Sequence, residues 1–435
     1  MPPRQRWLLL WIALATLVVV RATTRPDHRG VLLDHLEFGR RLVVGEDVYG
    51  DWRSDPDAPV RPLHAPYPPS FGLLTAPFAG VDAVFGLRAA RCAWALLQLG
   101  ALVALLRALR ALARDPPPHP TDREHRWLAL LAIALLSRFL LRDTHGGGGN
   151  LINVALCTLA FAAAEQDRPA RAGWLLGFSL ATKPTQVLLL PLLLVFGHRR
   201  AAAHAAAAGL ALALLSLLLL RGDPAPWQRW FEGSLALAAQ TDAFAAPALA
   251  FPEFEWMNQS LRCATARWLG TVPPEFAARV ELGMAPGLGL PAWVAAAAAR
   301  AITLGGLAWL LVAAFCARRR SGPALHERAV DGAAAARPRL FAAALVLSLL
   351  ASPLSWKAHH VALLPLVYLL LLRTWRTRSR GLAALLAAFA VCCGFGKAIL
   401  GDAGDEWLNS VYVLPLFDVA LLVAALRGPA VARAA

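Results

Sequence analysis

The chain has 435 residues, of which 58% are hydrophobic and 16% are charged, and its mean hydropathy is +0.51. This balance is typical of an integral membrane protein and excludes an ordinary soluble enzyme domain. The formal net charge is +15, but the arginines gather in short clusters that flank apolar runs at alternate connections. That pattern follows the positive-inside rule, so nucleic acid is not an expected partner.

An apolar run from Trp7 to Val20 predicts a first membrane helix with its N-terminus inside, because basic residues precede it. The stretch from Arg25 to Ser70 is then predicted to be a long outer loop. It begins with an amphipathic pattern that favours a helix lying along the membrane surface. The apolar segment from Phe71 to Phe85 is interrupted by Pro77 and Asp82, so we interpret it as a loop or re-entrant segment.

Further apolar runs predict membrane helices that alternate in direction. They cover Ala89 to Leu109, Trp127 to Leu141, Leu151 to Ala164, Ala201 to Leu220, Trp293 to Phe315, Leu340 to Leu350, Val361 to Leu372, Ala383 to Leu400 and Val411 to Leu426. Two short helices, Ala172 to Ala181 and Pro184 to Phe196, are expected to meet at Lys183, dip into the membrane and return. Arg221 to Leu290 is predicted to be a second long outer loop.

The whole chain, residues 1–435, is therefore predicted to be one all-α polytopic membrane domain. It is expected to have roughly ten to thirteen membrane helices and two long outer loops, at 25–70 and 221–290. Its six cysteines lie mostly in or beside apolar runs, where they act as small hydrophobic residues. Neither a disulfide framework nor a zinc site is indicated.

Ionisable residues collect on one predicted face of the membrane. The chain has only three lysines, Lys183, Lys357 and Lys397, and all fall at the outer ends of helices or in outer turns. Such groups at membrane depth cost about 2.5–3.5 kcal/mol each, so their collection favours a functional site. For any one lysine the alternative is snorkelling to the interface. Other residues placed on this face are Asp34, His35, Glu37, Arg142, Asp143, His145, Glu253, Glu255, His359 and His360.

The chemistry of this face favours a lipid-linked donor. The chain has no P-loop and no Gly-x-Gly-x-x-Gly motif, so a soluble nucleotide-activated donor has no evident site on the inner side. A lipid-linked phosphate donor could enter sideways from the bilayer. Its leaving phosphate needs cations, and an acceptor hydroxyl needs a base such as a partly desolvated carboxylate. This arrangement predicts a single displacement at the sugar with inversion, without a metal ion or another cofactor.

The ordered motifs resemble glycosyltransferase family 87, polytopic enzymes of the GT-C class that use polyprenyl-phosphate sugars. The resemblance covers nearly the whole chain, although each motif alone is weak. Its motifs are Asp34, Gly45–Tyr49, Tyr67–Pro69, Asn150–Asn153, Gly177–Thr185, Asn258–Leu261 and Ser352–His360. Two features depart from the family pattern. Gly148 and Gly149 precede Asn150 where Gly-Gln-x-Asn is frequent, and Lys357 follows Trp356 where an acidic residue is frequent.

The resemblance implies roles for particular residues. Asp34 is expected to be the general base, with Glu37 as the nearest alternative, about one helical turn away. His359 and His360 are expected to bind the donor phosphate with help from the lysines at 183 and 357. The residues expected to complete the substrate pocket are Glu37, Tyr49, Tyr67, Asn150, Asn258, Gln259 and Trp356.

The function implied is a mannosyltransferase-like enzyme in the cell membrane, with its active site on the extracytoplasmic face. It would move a hexose from a polyprenyl-phosphate donor to a hydroxyl of a glycolipid or polysaccharide, so donor, acceptor and membrane lipid are the expected partners. The alternative is a secondary transporter or lipid-sugar flippase. Transporters often place a midplane site on broken helices, and the break at Lys183 fits this weakly. The two long outer loops and the one-sided polar cluster favour the enzyme.

Overall fold

The computed structural model describes residues 3–24, 30–52, 61–62, 67–113, 120–244, 258–320 and 336–427. The predicted outer-face residues Glu253 and Glu255 lie outside these ranges. Within them the fold is α-helical, with one antiparallel strand pair of two residues each, Asp51–Trp52 with Arg61–Pro62. The predicted all-α class is confirmed.

The helices follow one another with short connections. Those of the first half are α1 (Pro3–Thr23), α2 (Leu32–Val44), α3 (Gly72–Phe85), α4 (Leu87–Leu112), α5 (Asp122–Leu135), α6 (Ser137–Gly146), α7 (Asn150–Glu165), α8 (Pro169–Thr182), α9 (Leu189–Phe196) and α10 (Arg199–Leu219). Those of the second half are α11 (Ala225–Ala239), α12 (Leu261–Leu269), α13 (Pro274–Ala277), α14 (Ala292–Arg320), α15 (Ala336–Ala351), α16 (Leu364–Thr377), α17 (Arg380–Phe389), α18 (Gly396–Ser410) and α19 (Val413–Leu426). Helical turns of 3₁₀ type cover Pro69–Phe71, Pro184–Gln186 and Lys357–Leu363, and a π-helical turn covers Ala390–Gly394.

Several helices can cross a membrane. Four described segments are long and apolar enough on their own: α4, α10, the 28 residues Ala292–Arg319, and Lys357–Thr377. Two bent pairs, α6 with α7 and Arg380–Gly394 with α18, raise the number to six. The predicted multi-pass membrane character is confirmed. This number is smaller than the roughly ten to thirteen membrane helices expected from the sequence. The two numbers differ because α15 and α19, among others, are shorter than a full crossing of about 20 residues.

Two segments differ from the sequence-based expectation. The segment from Phe71 to Phe85, expected to be a loop or re-entrant, forms helix α3 with Pro77 inside it. Helix α3 packs closely on α2 because Gly39 has no side chain there: a Cβ atom at this position would lie 2.6 Å from the backbone nitrogen of Ala76. The expected single helix from Trp127 to Leu141 is broken between α5 and α6, after Leu135.

Helices α15 and α16 form the centre of the fold. Nearly every side chain from Leu340 to Leu350 and from Val361 to Leu372 is buried. A helix that is apolar on all sides belongs in the interior of a helical assembly, where neighbours cover each face. The turn that carries His359 and His360 leads directly into α16. The site described below is therefore built on the most buried helices of the molecule.

Candidate functional site

Lys183 lies where α8 ends and the chain turns toward α9, and its side chain is buried. Its ammonium donates a hydrogen bond to Asn150 Oδ1, lies 3.4 Å from the Tyr67 hydroxyl oxygen, and lies 4.9 Å from the centre of the Tyr67 ring. No carboxylate of the described residues lies within 4.0 Å of it. The C-terminal end of α8 offsets part of the cost of burying this charge. An anion bound here would offset more.

Asp143 fixes the orientation of Asn150. The buried Asp143 carboxylate accepts hydrogen bonds from Asn150 Nδ2 at 2.6 Å and from the backbone nitrogen of Leu151 at 2.9 Å. It thereby satisfies amide groups at the start of α7, which have no partner within the helix. Because the Asn150 amide nitrogen is bound to Asp143, the amide oxygen faces Lys183.

Helix α2 packs through His35 against this cluster of Lys183, Asn150 and Tyr67. His35 Nδ1 lies 3.1 Å from the backbone oxygen of Gly147, so Nδ1 carries a proton. The ring centre lies 4.8 Å from that of Phe71 and 5.4 Å from that of Tyr67. Burial, followed by the positive charge of Lys183, lowers the pKa of His35 to about 3. His35 is therefore neutral at physiological pH.

Gly147 allows this close packing between α2 and the loop before α7. It has a φ of +76°, and a Cβ atom there would lie 2.4 Å from Leu32 Cβ. A side chain at this position would strain the backbone and push the first outer loop away from the Lys183 cluster. The glycine run predicted to be a simple outer loop thus has a packing requirement at this residue.

Asp34 and Glu37 have different surroundings on helix α2. Asp34 is half-buried and precedes His35 directly. Glu37 is buried and accepts hydrogen bonds from Arg41 Nε at 2.6 Å and from Arg40 Nε at 2.8 Å. Burial raises the pKa of Glu37, but the hydrogen bonds from the two arginines outweigh it, so the pKa lies below its usual value. A carboxylate bound by two guanidinium groups is a poor base, which disfavours Glu37 for that role.

A small cavity lies between Asn150, the partner of Lys183, and the turn that carries His359 and His360, here called the late turn. The residues that line it are Asn150, Asn153, Val154, Thr185, Gln186, Leu349, Ser352, His359 and Ala362. Two predicted site residues, Asn150 and His359, thus line the same cavity. The structure brings them together from α7 and from the turn before α16.

His359 and His360 are neighbours in sequence but face different surroundings. His359 lines the cavity, and its Nδ1 accepts a hydrogen bond of 3.1 Å from the backbone N–H of Trp356. His360 is fully buried, and its Nε2 lies 3.0 Å from Asp418 Oδ2, a side chain that is also fully buried. Of the two histidines, His359 has the geometry for contact with a ligand in the cavity.

Lys357 belongs to a second charged cluster. Its ammonium lies 3.3 Å from Asp405 Oδ2, and both terminal nitrogens of Arg138 bind the same carboxylate. Asn409 Nδ2 donates a further hydrogen bond of 3.2 Å to Asp405. The structure thus separates Lys357 from the Lys183 cluster. It also gives Arg138, a charge within a predicted membrane helix, a carboxylate partner.

Residues 65–353 match the model of glycosyltransferase family 87. The chain belongs to glycosyltransferase family 87. The match spans more than half of the chain and confirms the predicted family, so the protein is a membrane glycosyltransferase. The alternative of a transporter or flippase is not supported.

This family 87 enzyme is 28% identical over 399 residues to the polyprenol-phosphate-mannose-dependent alpha-(1-2)-phosphatidylinositol mannoside mannosyltransferase of Mycobacterium tuberculosis (strain ATCC 25618 / H37Rv). The alignment covers 89% of this chain and 81% of the relative. Two crystal structures of ArnT from Cupriavidus metallidurans are also similar, one bound to undecaprenyl phosphate and one in the apo state. The lipid-bound structure shares 15% sequence identity with this chain, with a TM-score of 0.39, and the match covers 97% of this chain and 78% of ArnT. The apo structure shares 14% identity, with a TM-score of 0.37, and covers 98% of this chain and 78% of ArnT. Similarity at this level does not bear on function.

Asn258 and Gln259, just before α12, hold the turn of the family 87 enzyme that leads to His359 and His360. Asn258 Nδ2 donates to the backbone oxygen of Pro353 at 3.1 Å, and Asn258 Oδ1 accepts from the backbone nitrogen of Ser355 at 2.9 Å. The backbone nitrogen of Gln259 donates to the Ser355 oxygen at 2.7 Å. These two residues therefore support the backbone beside the cavity, and neither lines it. Their predicted contact with substrate stays a prediction.

Tyr49 and Tyr67 are joined in a similar way. The Tyr49 hydroxyl donates a hydrogen bond of 2.6 Å to the backbone oxygen of Tyr67, whose own hydroxyl faces Lys183. Tyr49 thus supports the loop that brings Tyr67 to the cluster. Arg229 of helix α11 lies over the Tyr49 ring and binds Asp47 at 2.6 Å, so α11 and the segment that follows α2 are in contact here.

Metal ligands are not gathered in the described part of the enzyme. No group of three or more His, Cys, Asp or Glu side chains is placed there to hold an ion. The metal-independent mechanism stays a prediction, since it concerns the reaction itself.

Asp405 and Asp418 do not stand out in the sequence as site residues, although both are central to the charged contacts. The signal that could have identified Asp418 is a lone carboxylate in an apolar helix, because such groups are costly in a membrane unless they are paired. Asp405 gave a weaker signal because its helix also contains Asp402 and Glu406.

Proposed function

We propose that this enzyme transfers a hexose, with mannose as the first candidate, from a polyprenyl-phosphate donor to a hydroxyl of a glycolipid or polysaccharide. The observation that carries the proposal is the buried ammonium of Lys183, which has no carboxylate partner among the described residues. Its partner Asn150 lines a cavity that His359 also lines. The activity for which the mycobacterial relative is named supports mannose and a polyprenyl-phosphate carrier.

The donor phosphate would lie between Lys183 and His359. As the bond from the sugar to the phosphate breaks, negative charge grows on the phosphate, and fixed cations and N–H donors in a dry site stabilise it. His359 Nδ1 accepts from the Trp356 amide, so in the neutral ring Nε2 carries the proton and can donate it in a hydrogen bond to phosphate. Lys183 supplies the positive charge.

Asp34 would be the general base. Its carboxylate takes the proton of the acceptor hydroxyl while that oxygen attacks the anomeric carbon. The bond between this carbon and the phosphate oxygen breaks, and polyprenyl phosphate leaves with the bonding electrons. This single displacement inverts the anomeric configuration, and it requires no metal ion. Asp34 is half-buried and directly precedes His35, whose ring packs against Phe71, and this place in the chain supports the role.

We further propose that the fold is of the GT-C class and that the site faces the extracytoplasmic side of the cell membrane. The arginine clusters at 318–320 and 373–380 support this orientation, because basic connections remain inside. The lipid carrier would then reach the cavity from the outer part of the bilayer.

A reconstitution experiment tests the proposal. The purified enzyme in liposomes is given polyprenyl-phosphate mannose with labelled mannose, and phosphatidylinositol mannoside serves as the trial acceptor. We expect a labelled glycolipid of inverted anomeric configuration by NMR, formed equally well in EDTA. Asp34→Asn is the matched control. If the enzyme transfers glucose from polyprenyl-phosphate glucose but does not transfer mannose, the proposed sugar is wrong. If the enzyme does not bind polyprenyl phosphate, the proposed donor site is wrong.

A further inference from the structure

Asp418 is an acidic residue buried in the last apolar helix, α19. Its side chain is 0% exposed, and so is that of His360, whose Nε2 lies 3.0 Å from Asp418 Oδ2. Neither the Asp418 oxygens nor His360 Nε2 has a hydrogen-bond partner of good geometry among the described residues, although Nε2 and Oδ2 are only 3.0 Å apart. Burying a carboxylate in an apolar interior costs several kcal/mol unless it is paired. The retention of Asp418 at this depth therefore needs a reason, and His360 is the group that it faces.

The contacts of His360 determine where its protons lie. His360 Nδ1 is 3.2 Å from the backbone oxygen of Trp356, which can only accept, so Nδ1 carries a proton. At Nε2 the neighbour is a carboxyl group. Attraction there requires a proton between Nε2 and Asp418, carried either by the imidazolium or by the carboxylic acid. In both cases Asp418 stabilises the form of His360 that donates from Nδ1 to Trp356.

The Trp356 peptide groups connect this pair with the cavity. The carbonyl of Trp356 accepts from His360 Nδ1, and its N–H donates to His359 Nδ1 at 3.1 Å. Because His359 Nδ1 accepts the hydrogen bond from Trp356, Nε2 is the nitrogen that carries the proton in the neutral His359 ring. The two histidines thus hold Trp356 from both sides, and only His359 lines the cavity.

We infer that Asp418 is a positioning residue for the donor-phosphate site: through His360 and the backbone of Trp356 it holds the His359 ring beside the cavity, with Nδ1 toward the Trp356 amide and Nε2 as the N–H donor of the ring. This inference rests on the proposed function. It divides the two adjacent histidines between two roles, contact with phosphate for His359 and support of the turn for His360.

The test measures binding of polyprenyl phosphate without a sugar to the full chain in nanodiscs, which requires no acceptor. Asp418→Ala should weaken binding about 10-fold, the effect typical of losing an outer partner of a ligand-binding histidine. Asp418→Asn should bind within about 3-fold of wild type, because the Asn amide can donate to Nε2 of neutral His360 and preserve the Nδ1 bond. His360→Gln should weaken binding as Asp418→Ala does, and this second variant tests the contact if Asp418→Ala does not fold.

A matched control separates positioning from simple destabilisation. Leu421 lies on the same helix and is also 0% exposed. Leu421→Ala should lower the melting temperature by making a cavity, without changing affinity for polyprenyl phosphate. If Leu421→Ala weakens binding as much as Asp418→Ala at equal loss of melting temperature, the effect is general and the positioning role is wrong.

Combination with His359→Ala completes the test. If Asp418 acts through His359, then Asp418→Ala should cause no further loss in a protein that already carries His359→Ala. Independent, multiplying effects would overturn the inference. Wild-type binding by His359→Ala would instead show that the proposed donor site is wrong. Loss in His359→Ala but not in Asp418→Ala would leave the donor site intact and reject only the positioning role.

Discussion

The ammonium of Lys357 lies 3.3 Å from Asp405 Oδ2, within a cluster that also contains Arg138. Lys183, the other buried lysine, donates to the neutral amide of Asn150 and has no carboxylate partner in the described ranges. The two lysines are alike in sequence context, since both occur in turns between apolar runs. Their partners suggest different roles: Lys357 holds helices together through Asp405, whereas Lys183 is available to an anion.

Removal of each lysine charge should therefore have different results. Lys183→Gln should weaken binding of polyprenyl phosphate about 10- to 100-fold, because a hydrogen bond to a charged group contributes about 1.5–3 kcal/mol. Lys357→Gln should mainly lower the melting temperature, since Asp405 loses one of its partners. Both are measured in nanodiscs by ligand binding and thermal unfolding. The opposite result, with the larger loss of affinity in Lys357→Gln, would place the phosphate in the Asp405 cluster.

Asp34→Asn should lower the transfer rate about 10²- to 10⁴-fold, which is the usual contribution of general-base catalysis. The asparagine keeps the size of the side chain but cannot accept the proton of the acceptor. Binding of polyprenyl phosphate should be unchanged, because Asp34 does not act on the donor. The rate is measured with polyprenyl-phosphate mannose at saturating acceptor.

Glu37→Gln is the matched control for Asp34→Asn. Glu37 is bound by Arg40 and Arg41, so this change should reduce stability and leave the rate per folded molecule near that of wild type. Loss of rate in Glu37→Gln with full activity in Asp34→Asn would move the role of base to Glu37. Full activity in both would leave the mechanism without a base from helix α2.

Much of the helical pattern could be predicted from the sequence because it depends on local apolar periodicity. The runs that became α4, α7 and α10 were assigned to within a few residues, as was the break at Lys183. The break between α5 and α6 was missed. Arg138, just after the break, pairs with Asp405 far along the chain. A local apolar pattern gives no information about such long-range partners.

The site shows the same limit. The sequence assigns Asn150, Lys183 and His359 to one site, and the structure places Asn150 against Lys183 and along the cavity that His359 lines; the roles of these residues stay predictions. The division between His359 and His360 could not be predicted. It depends on Asp418, which follows His360 by more than fifty residues and reaches it only through helix packing.

The orientation of the enzyme in the membrane is a separate prediction. A reporter fused after Gly50 should be extracytoplasmic, because this position lies in the first outer loop that carries Asp34 and His35. A reporter fused after Arg320 should be cytoplasmic, because the preceding arginines form a basic connection. Paired alkaline phosphatase and green fluorescent protein fusions measure both positions. A cytoplasmic signal at Gly50 would place the site on the other face of the membrane.

The pH dependence of stability should report on His35. Burial and the charge of Lys183 lower its pKa to about 3, whereas the unfolded chain has a histidine pKa near 6.5. Below pH 6.5 the unfolded state therefore takes up a proton that the folded state does not. As pH decreases below 6.5, the free energy of unfolding should decrease by up to about 1.4 kcal/mol per pH unit. This loss should stop when the folded state also titrates, near pH 3.

His35→Gln is the variant that isolates this effect. Its amide N–H can still donate to the Gly147 oxygen, but it does not titrate, so its stability should change less between pH 6.5 and 5 than that of the wild type. Glu37 does not interfere in this window. Its pKa is lowered from 4.5, so the stability it contributes is present above that pH and is lost only as pH falls further. Thermal unfolding of both proteins in nanodiscs gives the two slopes. Equal slopes would mean that His35 is protonated in the folded enzyme and that its packing against Lys183 and Tyr67 differs from the arrangement described here.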